Sequence, residues 1–141
     1  MSLVRPRVQA YLCKVSPYAL SAKDMEWLDK AIRKDYHKVS KLKILNDAAS
    51  GFSQIWRVGA EQGIIVTEVV VYAAERYLCA NHLAMEGFFQ EIEKIEECLV
   101  DYAKEMGCKA IQLETARPGL QEFYANRYKE LTRVYIKEID L

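Results

Sequence analysis

The feature that most constrains the fold is a long amphipathic segment followed at once by an apolar strand. After Gly87, apolar side chains recur at alternating steps of four and three residues: Phe88, Ile92, Ile95, Leu99, Tyr102 and Met106. This spacing predicts a helix from about residue 88 to 106, ended by Gly107. The strand CKAIQLET (108–115) follows. Because a strand, a helix and a strand form a crossover unit, the sheet must contain a parallel pair here.

Three apolar, β-branched runs precede this helix, at residues 52–58, 64–72 and 76–85. The short stretches 59–63 and 73–75 between them are typical of turns. Sequential strands with short connections favour an antiparallel meander. The sheet is therefore predicted to be mixed, antiparallel in its first half and parallel at the crossover.

The N-terminal part of the chain predicts one strand and two helices. Residues 7–15 alternate well enough for a strand, and Ser21 with Asp24 resembles a capping box. Apolar residues at helical spacing then predict a helix over about 22–38, and a shorter helical segment covers 42–49.

The C-terminal part predicts a short helix from Leu120 to about Asn126 and a last strand from about Leu131 to Ile139. The full order is β-α-α-β-β-β-α-β-α-β, which makes the fold class α/β with an α+β type of mixed sheet. A chain of 141 residues is the usual size of one compact unit, so a single domain over 1–141 is expected.

Composition excludes several classes of protein. Hydrophobic residues make up 51% of the chain and charged residues 28%, which argues against disorder. The longest apolar run is Val69–Ala74, far short of a membrane span, and the first residues lack a signal-peptide core. A cytoplasmic protein that does not enter membranes is expected. The four cysteines are expected to be free, buried thiols, and their spacing to the two histidines does not favour a metal site.

The net charge of zero conceals a division along the chain. Residues 1–43 carry ten Lys or Arg against four Asp or Glu, whereas residues 61–114 carry four against eleven. A neutral total makes a dedicated nucleic-acid partner unlikely on charge grounds. The two oppositely charged regions could also attract each other in a homodimer.

One group of basic residues invites a binding hypothesis. Lys30, Lys34, Lys38 and Lys41 follow one another at steps of four, four and three, which predicts a stripe on one helix face. Phosphate, an acidic partner or nucleic acid could bind such a stripe, and a solvated helix face is the alternative.

The order of elements, with the long helix crossing between the fourth and fifth strands, resembles the GNAT superfamily of N-acyltransferases. Residues 54–139 resemble more closely a group of small GNAT-like proteins of tailed bacteriophages. In that group a helix ending A-x-x-x-G-C runs into a strand, an R-x-G turn follows, and the last strand carries K-E. The matching residues are Ala103, Gly107, Cys108, Arg117, Gly119, Lys137 and Glu138.

The resemblance implies a site for acetyl-CoA. GNAT enzymes hold its pyrophosphate on an R/Q-x-x-G-x-G/A loop at the start of the helix after the fourth strand, where backbone N–H groups and the helix dipole favour phosphate. The corresponding cofactor-binding residues are His82, Leu83, Ala84, Gly87 and Phe88. This stretch has one glycine and no Arg or Lys, and Glu86, Glu91 and Glu93 add negative charge. A plain helix start, stabilised by its acidic residues, is the alternative.

The resemblance also implies two catalytic residues. GNAT enzymes often protonate the leaving thiolate with a tyrosine in a pattern like F-Y-x-x-x-G-F, and residues 123–128 resemble that pattern without its glycine, which makes Tyr124 the acid. Glu68 interrupts the apolar run 64–72 and would be the general base. The alternatives are a tyrosine lining a groove and a glutamate on the wet face of the sheet. His82, between apolar residues at the end of a strand, is expected to be a satisfied histidine rather than a catalytic one.

The function implied is transfer of an acetyl or acyl group from acetyl-CoA to an amine, on a small molecule or a protein, by direct attack and without a metal. Backbone N–H groups of a bulged fourth strand near Leu83 would polarise the thioester carbonyl. The alternative is a catalytically silent GNAT fold that works through protein contacts, as a virion component or an effector. The location would be the cytoplasm of a bacterial host, or the virion.

Overall fold

The computed structural model describes residues 11–35 and 39–113, together with residues 122, 125, 127–129, 135 and 137–139. Five strands form one sheet in chain order: β1 (Leu12–Val15), β2 (Ser53–Val58), β3 (Gly63–Tyr72), β4 (Glu75–Met85) and β5 (Ala110–Leu113). Three helices accompany it: α1 (Ala22–Lys34), α2 (Lys41–Ala49) and α3 (Phe88–Glu105). A 3₁₀ turn, Pro17–Ala19, lies between β1 and α1.

The predicted mixed sheet is confirmed. Strands β1 to β4 pair antiparallel with their neighbours, and β5 runs parallel to β4 after the crossover through α3. The capping box is also confirmed, because Ser21 and Asp24 each accept a hydrogen bond from the backbone N–H of the other.

The two ends of the chain match the predictions less completely. The first helix was expected to reach residue 38, but α1 ends at Lys34, and residues 36–38 lie outside the described part. Glu122 and Ala125 are helical, within the predicted short helix. Most of the predicted last strand lies outside the described residues, and Tyr135 and residues 137–139, which are described, are not in a strand.

Each face of the sheet is covered by helices. On one face, α3 packs against side chains that include Trp56, Ile65 and Leu78. On the other face, α1 and α2 pack against Ile55, Ile64 and Val66. Because both faces of the central strands are buried, these strands are apolar on both sides, which explains the continuous apolar runs in the sequence.

A β-bulge in β4 exchanges the two faces part of the way along the strand. Val66 of β3 pairs with His82, whereas the next residue, Thr67, pairs with Ala80, so Asn81 has no partner in the register. Before the bulge, Leu78 faces α3; after it, Ala84 faces α1 and α2 although the two residues are an even number of positions apart. The bulge therefore turns the side chain of His82 toward α1.

A buried chain of hydrogen bonds fixes β3 opposite this bulge. The indole Nε1 of Trp56 donates to Thr67 Oγ1 over 2.9 Å, and Thr67 Oγ1 donates to Gln54 Oε1 over 2.8 Å. All three side chains are buried. These polar groups lie next to the position where the register shifts, and their bonds hold β2 and β3 together there.

The start of α1 is attached to the sheet by a buried ion pair. Asp24 is fully buried, and the guanidinium of Arg57 on β2 donates to both of its carboxylate oxygens, at 3.0 Å and 2.6 Å. Burial alone would raise the pKa of Asp24, but the hydrogen bonds from Arg57 and Ser21 outweigh it and lower the pKa. Trp27 adds a bond from its Nε1 to the carbonyl of Glu61.

The β3–β4 hairpin extends beyond the end of β2. The register of β2 with β3 ends at Ser53 and Glu68, and Val70, Val71 and Tyr72 at the hairpin tip are exposed. The turn consists of Ala73 and Ala74, whose φ angles are 53° and 68°. The left-handed region is unfavourable for alanine, so this turn is strained.

Two sequence-based expectations, on the lysine stripe and on the cysteines, are corrected here. The four lysines do not form one stripe, because α1 ends before Lys41, which lies on α2 and pairs with Asp29 at 3.0 Å; Lys38 lies outside the described residues. The four cysteines form no disulfide, but Cys13 is exposed and Cys108 is half-buried rather than buried. Burial raises the pKa of Cys98 to about 11.

Within residues 11–35 and 39–113, no helix is long and apolar enough to span a membrane.

Replacing Asp24 by Asn should lower the free energy of unfolding at pH 7 by roughly 3 kcal/mol, because Arg57 loses its charged partner at a buried site. A carboxyl group whose pKa is lowered on folding stabilises the protein above its unfolded pKa, and the stability is lost as the pH falls through the folded value. The difference between wild type and variant should therefore shrink below about pH 4. Urea unfolding at several pH values measures it.

The matched control is Asp47→Asn, which breaks the exposed pair of Asp47 with Lys43 on α2. An exposed pair of this kind contributes about 0.5 kcal/mol. Equal losses for the two variants would contradict the stabilising role of the buried pair.

Replacing Ala73–Ala74 by Asn-Gly should raise the free energy of unfolding by about 1 kcal/mol, because both residues tolerate positive φ. Thermal or urea unfolding measures the change. Ala49→Gly, at an exposed alanine in α2, should not raise it. A stabilised Ala49 variant or an unchanged hairpin variant would contradict the strain at the turn.

Candidate functional site

The candidate site lies along β4, from the bulge at Asn81 to the start of α3. The described ladder between β4 and β5 runs from Tyr77 and Ala110 to Ala80 and Leu113, next to the bulge at Asn81. Strand β4 then continues to Met85 and leads through Glu86 and Gly87 into α3. The bulge and the helix start therefore belong to one continuous segment.

His82, the first residue after the bulge, forms a dyad with Asp35. The distance from His82 Nδ1 to Asp35 Oδ2 is 2.6 Å, and the two side chains are 11% and 18% exposed. Asp35 caps α1 in an extended conformation, with φ −93° and ψ 150°, and its N–H donates to the carbonyl of Ile32. His82 therefore has a hydrogen-bond partner, as expected of a satisfied histidine, although the partner is 47 positions away in the sequence.

The dyad fixes the tautomer of a neutral His82. A carboxylate only accepts hydrogen bonds, so Nδ1 carries the proton and Nε2 has an available lone pair. In the described part of the chain, no hydrogen bond uses Nε2. The arrangement can therefore accept a proton at Nε2 while Asp35 holds the ring in place.

Glu68, the predicted base, lies on the same face of the sheet. It follows Ile64 and Val66 at alternate positions of β3, which puts it on the side of α1 and α2, and it is half-buried. Its partner across the ladder is Cys79, so His82 is its diagonal neighbour. The hydrogen bond from Lys43 to Asp47 raises the pKa of Lys43 most, and the charge of Glu68 adds a smaller effect.

The predicted cofactor-binding residues divide into two groups. Ala84 is buried against α1 and α2, and Leu83 packs against the opposite core, so their side chains belong to the interior. Gly87 and Phe88 form the start of α3, where Gly87 is the N-cap and Phe88 the first helical residue. Only the backbone of Leu83 and Ala84 can take part in a site on β4.

The backbone at the start of α3 suits an anion. Gly87 has φ 63°, which favours glycine, and no side chain caps the helix. The first N–H groups of a helix have no partner within it, and the dipole makes this end positive. Gly63, across the ladder from Met85, fixes the approach of β3, because a Cβ there would collide with Met85 Cβ.

The acidic side chains near this helix start are not equivalent. Glu91 hydrogen-bonds the hydroxyl of Tyr11 and lies 3.5 Å from Lys94. Burial and the charge of Glu91 together raise the pKa of Tyr11 to about 12. Glu86 is exposed and directly precedes Gly87. Of these two carboxylates, Glu86 is the one that opposes an anion at Gly87 most directly.

Tyr124, the predicted acid, lies outside the described residues, so its position relative to His82 and Glu68 is not described. Within the described ranges, no group of three or more His, Cys, Asp and Glu side chains is placed to hold a metal ion.

Sequence reasoning missed Asp35 as a site residue because the predicted helix ran past it. One signal was available: an acidic residue in the last turn of a helix opposes the helix dipole, so Asp35 was better explained by a partner outside the helix. The bulge also had a signal, since the apolar residues of β4 change phase between Leu78 and Leu83.

No family model matches the chain, and no curated protein matches it. Solved structures do. A ribosomal-protein-alanine N-acetyltransferase from Brucella melitensis biovar Abortus 2308 superposes with a TM-score of 0.67 at 10% identity, covering 91% of this chain and 99% of that one. An aminoglycoside acetyltransferase from an uncultured soil metagenomic sample, in complex with sisomicin, gives 0.64 at 11% identity, with 95% and 99% covered.

A predicted acetyltransferase from Clostridium acetobutylicum, solved with acetyl-CoA, gives a TM-score of 0.64 at 12% identity, with 90% of this chain and 94% of that chain covered. At these identities the similarity concerns the fold. The chain has the GNAT fold, as its order of elements predicted.

Proposed function

We propose that the protein is an acyltransferase that binds acetyl-CoA along β4 and transfers its acetyl group to an amine. The observation that carries the proposal is the continuous segment from the bulged β4 to the uncapped, glycine-started α3. It supports the proposal together with the GNAT fold shared with acetyltransferases. Acetyl-CoA supplies the activated acyl group, and the chain supplies binding and proton transfer.

Three groups of the chain would act on acetyl-CoA: the start of α3, the bulge of β4 and Tyr124. The backbone N–H groups that begin α3, after Gly87, would bind phosphate oxygens. The bulge would offer a backbone N–H near the thioester carbonyl, with Asn81 the residue that has no partner in the register. Tyr124 would give a proton to the departing sulfur, as the family resemblance implies.

The backbone of this segment suits the phosphates of CoA, but the charges of its side chains do not. The open helix start favours phosphate. The stretch His82–Phe88, however, has no Arg or Lys, and the negative charge of Glu86 repels phosphate. Binding of CoA is therefore expected to be weak and to depend on salt. Glu86 gives a direct way to test where the phosphates lie.

Glu86→Lys should tighten the binding of CoA by about fivefold or more at low salt, because a repulsive charge becomes an attractive one near the phosphates. Calorimetry with CoA measures the change. Pantetheine, which lacks the phosphates, should show no such gain.

The matched control is Glu97→Lys, the same charge change at an exposed residue of α3 more than two turns from Gly87. It should change the affinity less, since it lies roughly 15 Å from the helix start. At about 0.15 M salt, where the Debye length is about 8 Å, it should have almost no effect. Equal effects of the two variants would contradict a phosphate site at Gly87. A chain that binds neither CoA nor acetyl-CoA at millimolar concentration would overturn the proposed function and favour the silent, protein-binding alternative.

Tyr124→Phe should lower kcat by roughly 100-fold with little change in the affinity for acetyl-CoA, because the phenol acts on the leaving sulfur and not on binding. The structural neighbours suggest the first acceptors to try, a peptide with an N-terminal alanine and the aminoglycoside sisomicin. Release of free CoA thiol follows turnover. Full activity of this variant would remove Tyr124 from the mechanism.

A further inference from the structure

We infer that His82, held by Asp35, is the group that takes the proton from the attacking amine. The inference rests on the proposed acyl transfer and names the residue that supplies its base. The geometry points to His82 because Asp35 fixes its ring and because it lies one residue after the bulge of β4.

Three features make this dyad more than a satisfied pair. The carboxylate bonds Nδ1, so the nitrogen that faces away from Asp35, Nε2, has the lone pair of the neutral ring. Asp35 comes from the end of α1 and His82 from β4, so the two elements are fixed to each other at this contact. The side chain of His82 retains 11% exposure, so it is accessible to some degree.

Glu68 is the competing group on the same face. It lies at the part of β3 that pairs with β4 before the bulge, opposite Cys79, and the charge of Lys43 acts on it. No carboxylate or other described partner orients it in the way that Asp35 orients His82. His82 therefore has both the position next to the bulge and the fixed orientation that a base needs.

The acyl transfer exchanges one bond of the acyl carbon for another. The amine nitrogen forms a bond to the acyl carbon, and the carbon–sulfur bond breaks with its electron pair going to sulfur. The proton lost by the amine goes to His82 Nε2, and the thiolate takes one proton from Tyr124. His82 returns its proton to solvent and Tyr124 regains one, so the products are an amide and CoA thiol. Asp35 is a positioning residue, because it acts through His82.

The first test reads the tautomer without any turnover. The chain has only two histidines, so ¹⁵N-histidine NMR of the full chain gives two ring systems, and His37→Gln assigns them. The expected result is a proton on Nδ1 and a bare Nε2 for the neutral ring of His82. Asp35→Ala should shift the population toward the Nε2–H form. A wild-type His82 protonated on Nε2 in its neutral form overturns the inference without the use of a variant at that residue.

The second test compares rates. His82→Gln should lower kcat by about 100-fold or more while the affinity for acetyl-CoA, measured by calorimetry, stays within about twofold. Asp35→Asn should lower kcat by a smaller factor with KM unchanged, and Asp35→Glu should restore part of it. Circular dichroism and thermal unfolding show whether each variant is folded.

Glu68→Gln is the comparison variant, and its loss should be smaller than that of His82→Gln. A loss as large as or larger than that of His82→Gln, or full activity of a folded His82→Gln chain, overturns the role of His82 and leaves the acyltransferase proposal standing. Absence of binding to acetyl-CoA, or of turnover with bound acetyl-CoA, overturns the acyltransferase proposal and with it the role of His82.

Discussion

The burial of both faces of the central sheet is the constraint on which the rest of the structure depends. Once α3 covers one face and α1 with α2 the other, the buried residues of β2, β3 and β4 must suit the helix that they meet. A single extra residue, Asn81, exchanges those faces halfway along β4. The exchange turns His82 toward α1 while Leu83 and Met85 continue the core under α3. A packing requirement and a potential catalytic geometry thus come from the same backbone irregularity.

Much of the fold could be predicted because its signals are local or periodic. The apolar spacing of α3, the Ser21–Asp24 capping box and the three β-branched runs each specify an element within a few residues. The direction of β5 followed from the crossover alone. What could not be predicted depends on contacts between distant segments. Asp24 and Arg57, 33 positions apart, form a buried ion pair that no periodicity reveals.

The residues of the candidate site also include some that the sequence predicts and some that only contacts between distant segments reveal. Gly87, Phe88 and Glu68 could be chosen from pattern and family resemblance, and the structure puts them at a helix start and on an inner face of the sheet. Asp35 could not be chosen, because its importance depends on where α1 stops and on which face the bulge presents. In the sequence, the excess of Asp and Glu over residues 61–114 predicts repulsion of phosphate without distinguishing one acidic residue from another. In the fold, Glu91 forms a hydrogen bond with Tyr11 and an ion pair with Lys94. Glu86 is therefore the stronger source of repulsion for a phosphate at Gly87.

The hairpin that joins β3 and β4 extends past β2 with Val70, Val71 and Tyr72 exposed, and its turn is strained. Beyond Glu68, the register of β3 with β2 has ended, so this part of β3 is an edge strand of the described sheet. A β-branched, exposed edge is a template for pairing with strands of other chains, and this stretch has no charge to oppose it until Glu75 and Arg76. Among the described strands, this tip is therefore an edge that favours self-association through strand addition at the high concentrations of overexpression. Val71→Lys would put a charge on that edge and oppose it.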